Sequence, residues 1–208
     1  MTAPSPDTAA TTQKHLGPAA HVHVVDLLDA DEPAMAEFVS ETDALVLCAG
    51  IEYVGPIQFE PPGAFDQMLT VNVAGPAMVV RACLPWMIER GSGLIVGLGS
   101  IAARTPRPFL AGYSASKAAF EGYLTALAGE LDGTGVEVEV LSLGPVATEL
   151  GSHGPPNRAP DEDSPYHAAY VEARSQSEHE RTDLVRKPID VAQEVLDMIW
   201  SFADRGTR

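Results

Sequence analysis

The stretch Gly99-Ser100-Ile101-Ala102-Ala103-Arg104-Thr105-Pro106-Arg107-Pro108-Phe109-Leu110-Ala111-Gly112-Tyr113-Ser114-Ala115-Ser116-Lys117 closes one element and opens another. The apolar run before it, residues 93–99, reads as a strand, the two prolines impose a loop, and the Ala-rich continuation reads as a helix. Tyr113 and Lys117 are four residues apart, so on a helix they share one face, a turn from each other. An ammonium beside a phenol favours the phenolate. Tyrosine needs such a shift for acid/base work, because its ordinary pKa of about 10 is too high for neutral pH. Ser100, at the mouth of the strand, can donate a hydrogen bond to a substrate oxygen in the same cleft. Three groups then surround one oxygen.

Outward from this stretch, strand and helix patterns alternate. His21 to Leu27 reads as a first strand, Asp31 to Glu41 as a short acidic helix, and Ala44 to Cys48 as a second strand ending at Ala49-Gly50. A loop over 51–62 carries three prolines, and from Gly63 to Arg90 the apolar Phe65, Met68, Leu69, Val73 and Val80 recur with mostly helical spacing. Pro76 should bend that helix. After the third strand, Leu94 to Leu98, come a helix over 113–131, a fourth strand from Val136 to Ser142, a polar segment over 151–186 and an amphipathic helix over 189–202. This alternation predicts an α/β fold, a doubly wound parallel sheet of about four strands with helices on both faces. Residues 1–20, rich in Ala, Thr and Pro, are expected to be a disordered lead, and 21–208 one domain.

Composition narrows the function classes. A formal charge of -16 with 13 Lys and Arg argues against nucleic acid or an anionic membrane as partner, since both need basic patches. Lys14, Lys117 and Lys187 are the only lysines, so the one in the motif is not drawn from a crowd. Cys48 and Cys83 lie in apolar segments and read as reduced core thiols, with no metal site. No run reaches 18 apolar residues, and a cytoplasmic location is expected.

These features together resemble the short-chain dehydrogenase/reductase family, in which a serine at this distance before Tyr-x-x-x-Lys, followed by small residues such as Ala118 and Ala119, forms the active site. The likeness runs from about His21 to Trp200. It extends to Val71-Asn72-Val73, where the family has its fourth catalytic residue, and to Gly144-Pro145-Val146-Ala147-Thr148, similar to its cofactor-side loop. The resemblance implies a catalytic set of Ser100, Tyr113, Lys117 and Asn72. For a nicotinamide dinucleotide it implies Asp26 at the adenine, Ala49 and Gly50 along the backbone, and Thr148 at the nicotinamide amide. Other readings stay open: a turn or helix-cap role for Asp26, a turn hydroxyl for Thr148, a helix-bending role for Asn72. The segment over 151–186 corresponds in position to the family's variable substrate lid, or is a solvated insertion. The resemblance also implies a homodimer or homotetramer, since in the family the helices corresponding to 63–90 and 113–131 build the main subunit contact.

The family's glycine-rich phosphate turn has no counterpart before His21, and Leu47-Cys48-Ala49-Gly50 stands where the family usually has Asn-Asn-Ala-Gly. Gly97-Leu98-Gly99-Ser100-Ile101-Ala102 fits the glycine fingerprint by spacing, but Pro106 and Pro108 deny it the helix that would bind a pyrophosphate. By these motifs the chain starts near the family's third strand and looks trimmed at both ends. The expectation is therefore an enzyme acting on a carbonyl or hydroxyl of a small molecule by redox-neutral acid/base chemistry (dehydration, cyclisation or isomerisation), with no cofactor. The alternatives are an NAD(P)-dependent ketone reductase or alcohol dehydrogenase with an atypical nucleotide site, and a non-catalytic partner subunit. With its first two strands absent, the sheet should pair His21 to Asp26 directly with Ala44 to Cys48.

Overall fold

A computed structural model describes residues 2–3, 6–16, 23–29, 41–148, 150 and 154–206. Its main sheet has three parallel strands in the order β3-β4-β5: β3 is Ala44–Leu47, β4 Gly93–Ser100 and β5 Val136–Leu143. Ala44 lies opposite Leu94, and Gly93 opposite Val136. β4 is central, and Leu94, Ile95 and Val96 are almost wholly buried. A continuous apolar run is what a strand covered on both faces needs.

Helices provide that cover. α2 (Ala64–Leu69) and α3 (Gly75–Arg90) are joined through a five-residue π turn, Thr70–Ala74. α3 and α4 (Ala111–Glu130) bury Val80, Cys83, Met87, Phe120, Leu124 and Leu127 against Leu47, Ile95 and Val136. On the other face, α6 (Pro188–Gly206) places Val195 on Leu94 and Val96, with Met198, Ile199 and Phe202 around them. The α/β architecture with helices on both faces is thus as expected. The strand count is lower, because the first expected strand joins a different sheet.

The start of the chain departs from expectation. Thr2–Ala3 forms β1, Pro6–Leu16 forms α1 and His23–Val24 forms β2, with β1 and β2 parallel. Within the expected disordered lead, the described residues are a strand and a helix. Nor does the expected pairing of residues 21–26 with residues 44–48 occur: His23 and Val24 pair with Thr2 and Ala3 instead. The physical reason is that the strand-helix-strand unit brings its own parallel partner, which satisfies the β2 backbone locally. The acidic helix expected over 31–41 lies, apart from its last residue, outside the described residues.

Pro76 does not simply kink a helix. It stands in the first turn of α3, where its missing N–H costs nothing. The irregularity sits just before it: the Gly75 amide bonds five residues back, to the Thr70 carbonyl. A proline at 76 cannot donate to the carbonyl of Asn72, and the turn widens there. The Ala64–Arg90 stretch is long and apolar enough by composition to cross a membrane. Met68, Asn72, Val80, Cys83 and Met87 are nonetheless buried in the fold, which is how a core helix looks.

Two glycines explain the apparent fingerprint. A Cβ at Gly97 would overlap the Leu124 side chain, and one at Gly99 would overlap the Glu121 carboxylate. Their spacing lets α4 lie close against β4 and has no phosphate to approach. The segment after β5 is tied to the loop after β3, where the Arg158 amide donates to the Val54 carbonyl and Asn157 accepts from the Val54 amide at 2.7 Å. It then forms α5, His167–Leu184.

Candidate active site

Ser100 ends β4, buried, and caps the short 3-10 turn Ile101–Ala103 by accepting the Ala102 amide at 3.2 Å. Its hydroxyl stands near enough to the Tyr113 phenol to draw the phenol's pKa down, so the loop with its two prolines returns the first turn of α4 to the mouth of β4. Lys117, one turn along, is 6% exposed and donates to the Leu98 carbonyl at 3.1 Å, with its ammonium 5.3 Å from the centre of the Phe120 ring.

Asn72 sits in the π turn and is 1% exposed. Its Oδ1 accepts the Ile51 amide at 2.8 Å, and its Nδ2 donates to the Ile51 carbonyl at 2.9 Å and to Ser116 Oγ at 2.8 Å. Ser116 in turn donates to the Tyr113 carbonyl at 2.8 Å. One side chain therefore ties the loop after β3 to the catalytic turn of α4. A Cβ on Gly50 would stand 3.5 Å from both Asn72 Oδ1 and Lys117 Nζ. Ser100, Tyr113, Lys117, Asn72 and Gly50 thus form one cluster, with exposed Ala49 at its edge.

Two other residues lie apart in character. Asp26 is exposed, and its carboxylate accepts the Leu28 amide at 3.0 Å, a side-chain turn that matches the turn role. Thr148 is exposed just past Val146, whose carbonyl accepts the Thr148 amide.

The electrostatics correct one expectation. Burial pushes the Tyr113 phenol above the ordinary tyrosine value; the Ser100 hydroxyl draws it back, and the Glu52 carboxylate pushes it further up. Lys117 does not produce the expected drop. Its own pKa is lowered by burial, against the upward pull of Cys48 and Glu121. The Lys117 ammonium gives its hydrogen bond to the Leu98 carbonyl of the strand, and it is not among the groups that shift the phenol. At neutral pH Tyr113 holds its proton. Cys48 is likewise not a core thiol: the residue is exposed, whereas Cys83 is buried. The Cys48 thiol is pushed up by its desolvated setting and drawn down by Lys117.

Sequence reasoning missed Glu121. Its Oε1 accepts the Ser100 amide at 3.0 Å and the Ser142 hydroxyl at 3.0 Å, and its Oε2 pairs with Arg104 Nε at 3.2 Å. The signal was present: a glutamate four residues after Lys117 shares its helix face, opposite a Cβ-less Gly99.

Comparison with known proteins bears on the chemistry. The family model for short chain dehydrogenase matches residues 2–158. A short chain dehydrogenase of Pseudocercospora fijiensis (strain CIRAD86) is 43% identical over 112 residues, 53% of this chain and 36% of that protein. A 2-dehydro-3-deoxy-L-rhamnonate dehydrogenase (NAD(+)) of Sphingomonas sp. (strain SKA58) is 33% identical over 142 residues, 65% of this chain and 57% of that protein. The chain thus spans well under two thirds of the length of either relative. The crystal structure of a gluconate 5-dehydrogenase from Burkholderia cenocepacia J2315 in complex with NADP and tartrate superposes with a TM-score of 0.63 at 25% identity, covering 72% of this chain and 62% of that one.

The expectation of a cofactor-free protein is overturned by these findings, since the relatives are NAD-dependent or hold NADP. The expectation rested on a missing glycine-rich turn, and a phosphate turn is only one end of a nucleotide site. At the nicotinamide end the residues fit. Gly50 leaves open the space that a Cβ would fill beside Lys117 and Asn72, in the cluster to which Ser100 and Tyr113 belong. With three quarters of its length matched by one family model, the chain belongs to the short chain dehydrogenase family.

Proposed function

We propose that the protein is an NAD(P)-dependent ketone reductase or alcohol dehydrogenase acting on a small molecule. The observation that carries this reading is the gathering of buried Ser100, Tyr113 and Lys117 at the end of β4 and the start of α4, in a chain whose relatives are dehydrogenases. When bound, the nicotinamide supplies or accepts the hydride at the substrate carbon, with Gly50, Lys117 and Thr148 the residues to hold its ring end.

The protein's own groups handle the oxygen. Ser100 donates a hydrogen bond that orients the carbonyl, and Tyr113 gives its phenolic proton to the oxygen as the carbon is reduced. A phenol held above its ordinary pKa suits this direction, because the proton is in place at neutral pH. Oxidation of an alcohol needs the phenolate instead. Asn72 and Ser116 hold the turn of α4 that presents Tyr113.

Substrate reaches Tyr113 past the loop after β3. A cleft of about 610 Å³ lies there, lined by Gln58, Phe59, Glu60, Asn157 and Arg158 among others. Glu60 Oε2 stands 3.5 Å from the position of a Cβ on Gly112, next to Tyr113. The segment after β5 forms one wall, the role proposed for a substrate lid.

The test is calorimetric titration with NAD(H) and NADP(H), followed by a panel of ketones and alcohols assayed for nicotinamide oxidation or reduction. Micromolar nucleotide binding, and a product differing from substrate by two hydrogens, are expected. Absence of binding at millimolar nucleotide overturns the proposal.

A further inference from the structure

We propose that Glu121 is the positioning residue of this site: its buried carboxylate fixes Ser100 at the end of β4 and faces Lys117 as counter-charge. The inference rests on the reading of Ser100, Tyr113 and Lys117 as the reacting cluster.

The geometry is specific. Glu121 is 7% exposed in α4, one turn after Lys117. Through Oε1 it holds the Ser100 N–H and the Ser142 hydroxyl, so it reaches the last residue of β4 and the neighbouring β5 at once. Gly99 makes room for it. Its other oxygen meets Arg104, the residue that ends the turn capped by Ser100.

Magnitudes decide which of these contacts matters. The Arg104 side chain is 72% exposed, and a pair of that kind contributes at most about 1 kcal/mol. A buried N–H donating to a carboxylate belongs to the stronger class of charge-assisted bonds. At Ser100 the contact that matters is therefore its N–H bond to Glu121, which adds to the pairing of Ser100 with Leu143 at the end of β4. The Ser100 backbone sets where the hydroxyl points, and a displacement of about an ångström in such a group weakens catalysis severely.

Lys117 completes the argument. The groups facing it are Glu121 on its own helix, the Cys48 thiol and Asn72 from the side of β3, and the Leu98 carbonyl of β4. Of these, Glu121 is the carboxylate, and its pull on the Lys117 ammonium opposes that of burial.

The test uses the full chain with Glu121→Gln and Glu121→Ala, read by NMR and not by turnover. Three lysines make the side-chain ¹³C titrations assignable. In Glu121→Gln the amide still accepts the Ser100 N–H, so Ser100 amide exchange stays within about threefold of wild type while the Lys117 titration midpoint falls and those of Lys14 and Lys187 stay. In Glu121→Ala the midpoint falls and Ser100 exchange accelerates more than tenfold, beyond any change at Leu94 in the same strand. An unmoved Lys117 midpoint in Glu121→Gln overturns the proposal, as does an unmoved Ser100 exchange in Glu121→Ala. If Glu121→Ala does not fold, the Glu121→Gln midpoint decides alone. None of these readouts needs a nucleotide or a substrate, so failure of the dehydrogenase reading would show separately in the calorimetry.

Discussion

Asn72 and Asp26 are both short polar side chains that the family likeness assigns to the site, yet the fold treats them oppositely. Asn72 is buried, makes three hydrogen bonds and joins the loop after β3 to the catalytic helix. Asp26 is exposed and bonds two residues along its own chain. The region around Asn72 is over-determined, each polar group fixed by another; the described region around Asp26 is a two-residue strand pairing followed by a turn in which the Asp29 amide bonds the Asp26 carbonyl. Polar atoms buried together must be satisfied together, so the reacting end of the site is fixed by the fold itself. The turn at Asp26, which the family likeness assigns to the adenine, rests on local turn chemistry.

The largest effect expected is at the reacting end. Tyr113→Phe removes the proton donor beside Ser100 without removing the ring, and should lower kcat about 10³-fold, within the range for general acid catalysis. Nucleotide affinity and Tm should stay near wild type; full turnover would break the comparison at its strongest point. The pH profile adds a sign. With the phenol pushed up, carbonyl reduction should be flat through neutral pH and fall only above pH of about 10, while alcohol oxidation should climb as pH rises toward that range. A reduction rate that already falls near neutral pH would mean a phenol drawn down, not up.

Next in size is Asn72→Ala. It strands the buried Ile51 amide and carbonyl, each worth about 1–3 kcal/mol when left unsatisfied, so urea unfolding should show a loss of about 2–4 kcal/mol. A loss below about 1 kcal/mol would show that this region is no more tightly determined than the other.

The two ends also differ in how far they were legible in sequence. Ser100, Tyr113 and Lys117 announce themselves because helical spacing turns a sequence interval into a shared face, and the apolar run of β4 fixes where the strand ends. Asn72 was readable by position, but its role was not: helix periodicity over 63–90 contains no sign that the helix widens into a π turn, which depends on Pro76 lacking a donor. Glu121 was half readable: the four-residue interval puts it on the face of Lys117, but its partner at Ser100 is a backbone amide, which any side chain at 100 would leave unchanged. β1 and α1 were missed for a different reason, and with them the partner of β2, which was itself expected within His21 to Leu27. Two-residue strands carry no periodicity, and an Ala- and Thr-rich helix without an apolar stripe resembles an unstructured lead.

Glycines offer a finer test within the well-determined region. Gly99→Ala drives a methyl group into the Glu121 carboxylate and should cost about 1–3 kcal/mol as that packed site is forced apart. Gly122→Ala lies in the same helix as Glu121, one residue on, with nothing within 4 Å of the added carbon. It should stabilise by about 0.5–1 kcal/mol through helix propensity alone. Thermal unfolding of the pair separates close approach from conformational freedom, and equal effects would remove the packing account of the glycine spacing.

The smallest effect belongs to Asp26. Its bond to the Leu28 amide is exposed, so Asp26→Ala should change stability by no more than about 0.5 kcal/mol. Binding is the more informative readout. If Asp26 meets the adenine side of a nucleotide, the variant should weaken nucleotide affinity by about three- to tenfold, the worth of one hydrogen bond to a charged group at a wet edge, while kcat is unchanged. Tyr113→Phe should do the reverse. An Asp26→Ala protein with wild-type affinity would leave the carboxylate as a turn residue only, and would place all nucleotide recognition near Gly50 and Lys117. The pair of variants thus tests whether the two regions divide the work as their structures divide: adenine recognition on an exposed turn, and proton transfer in a cluster that burial has fixed.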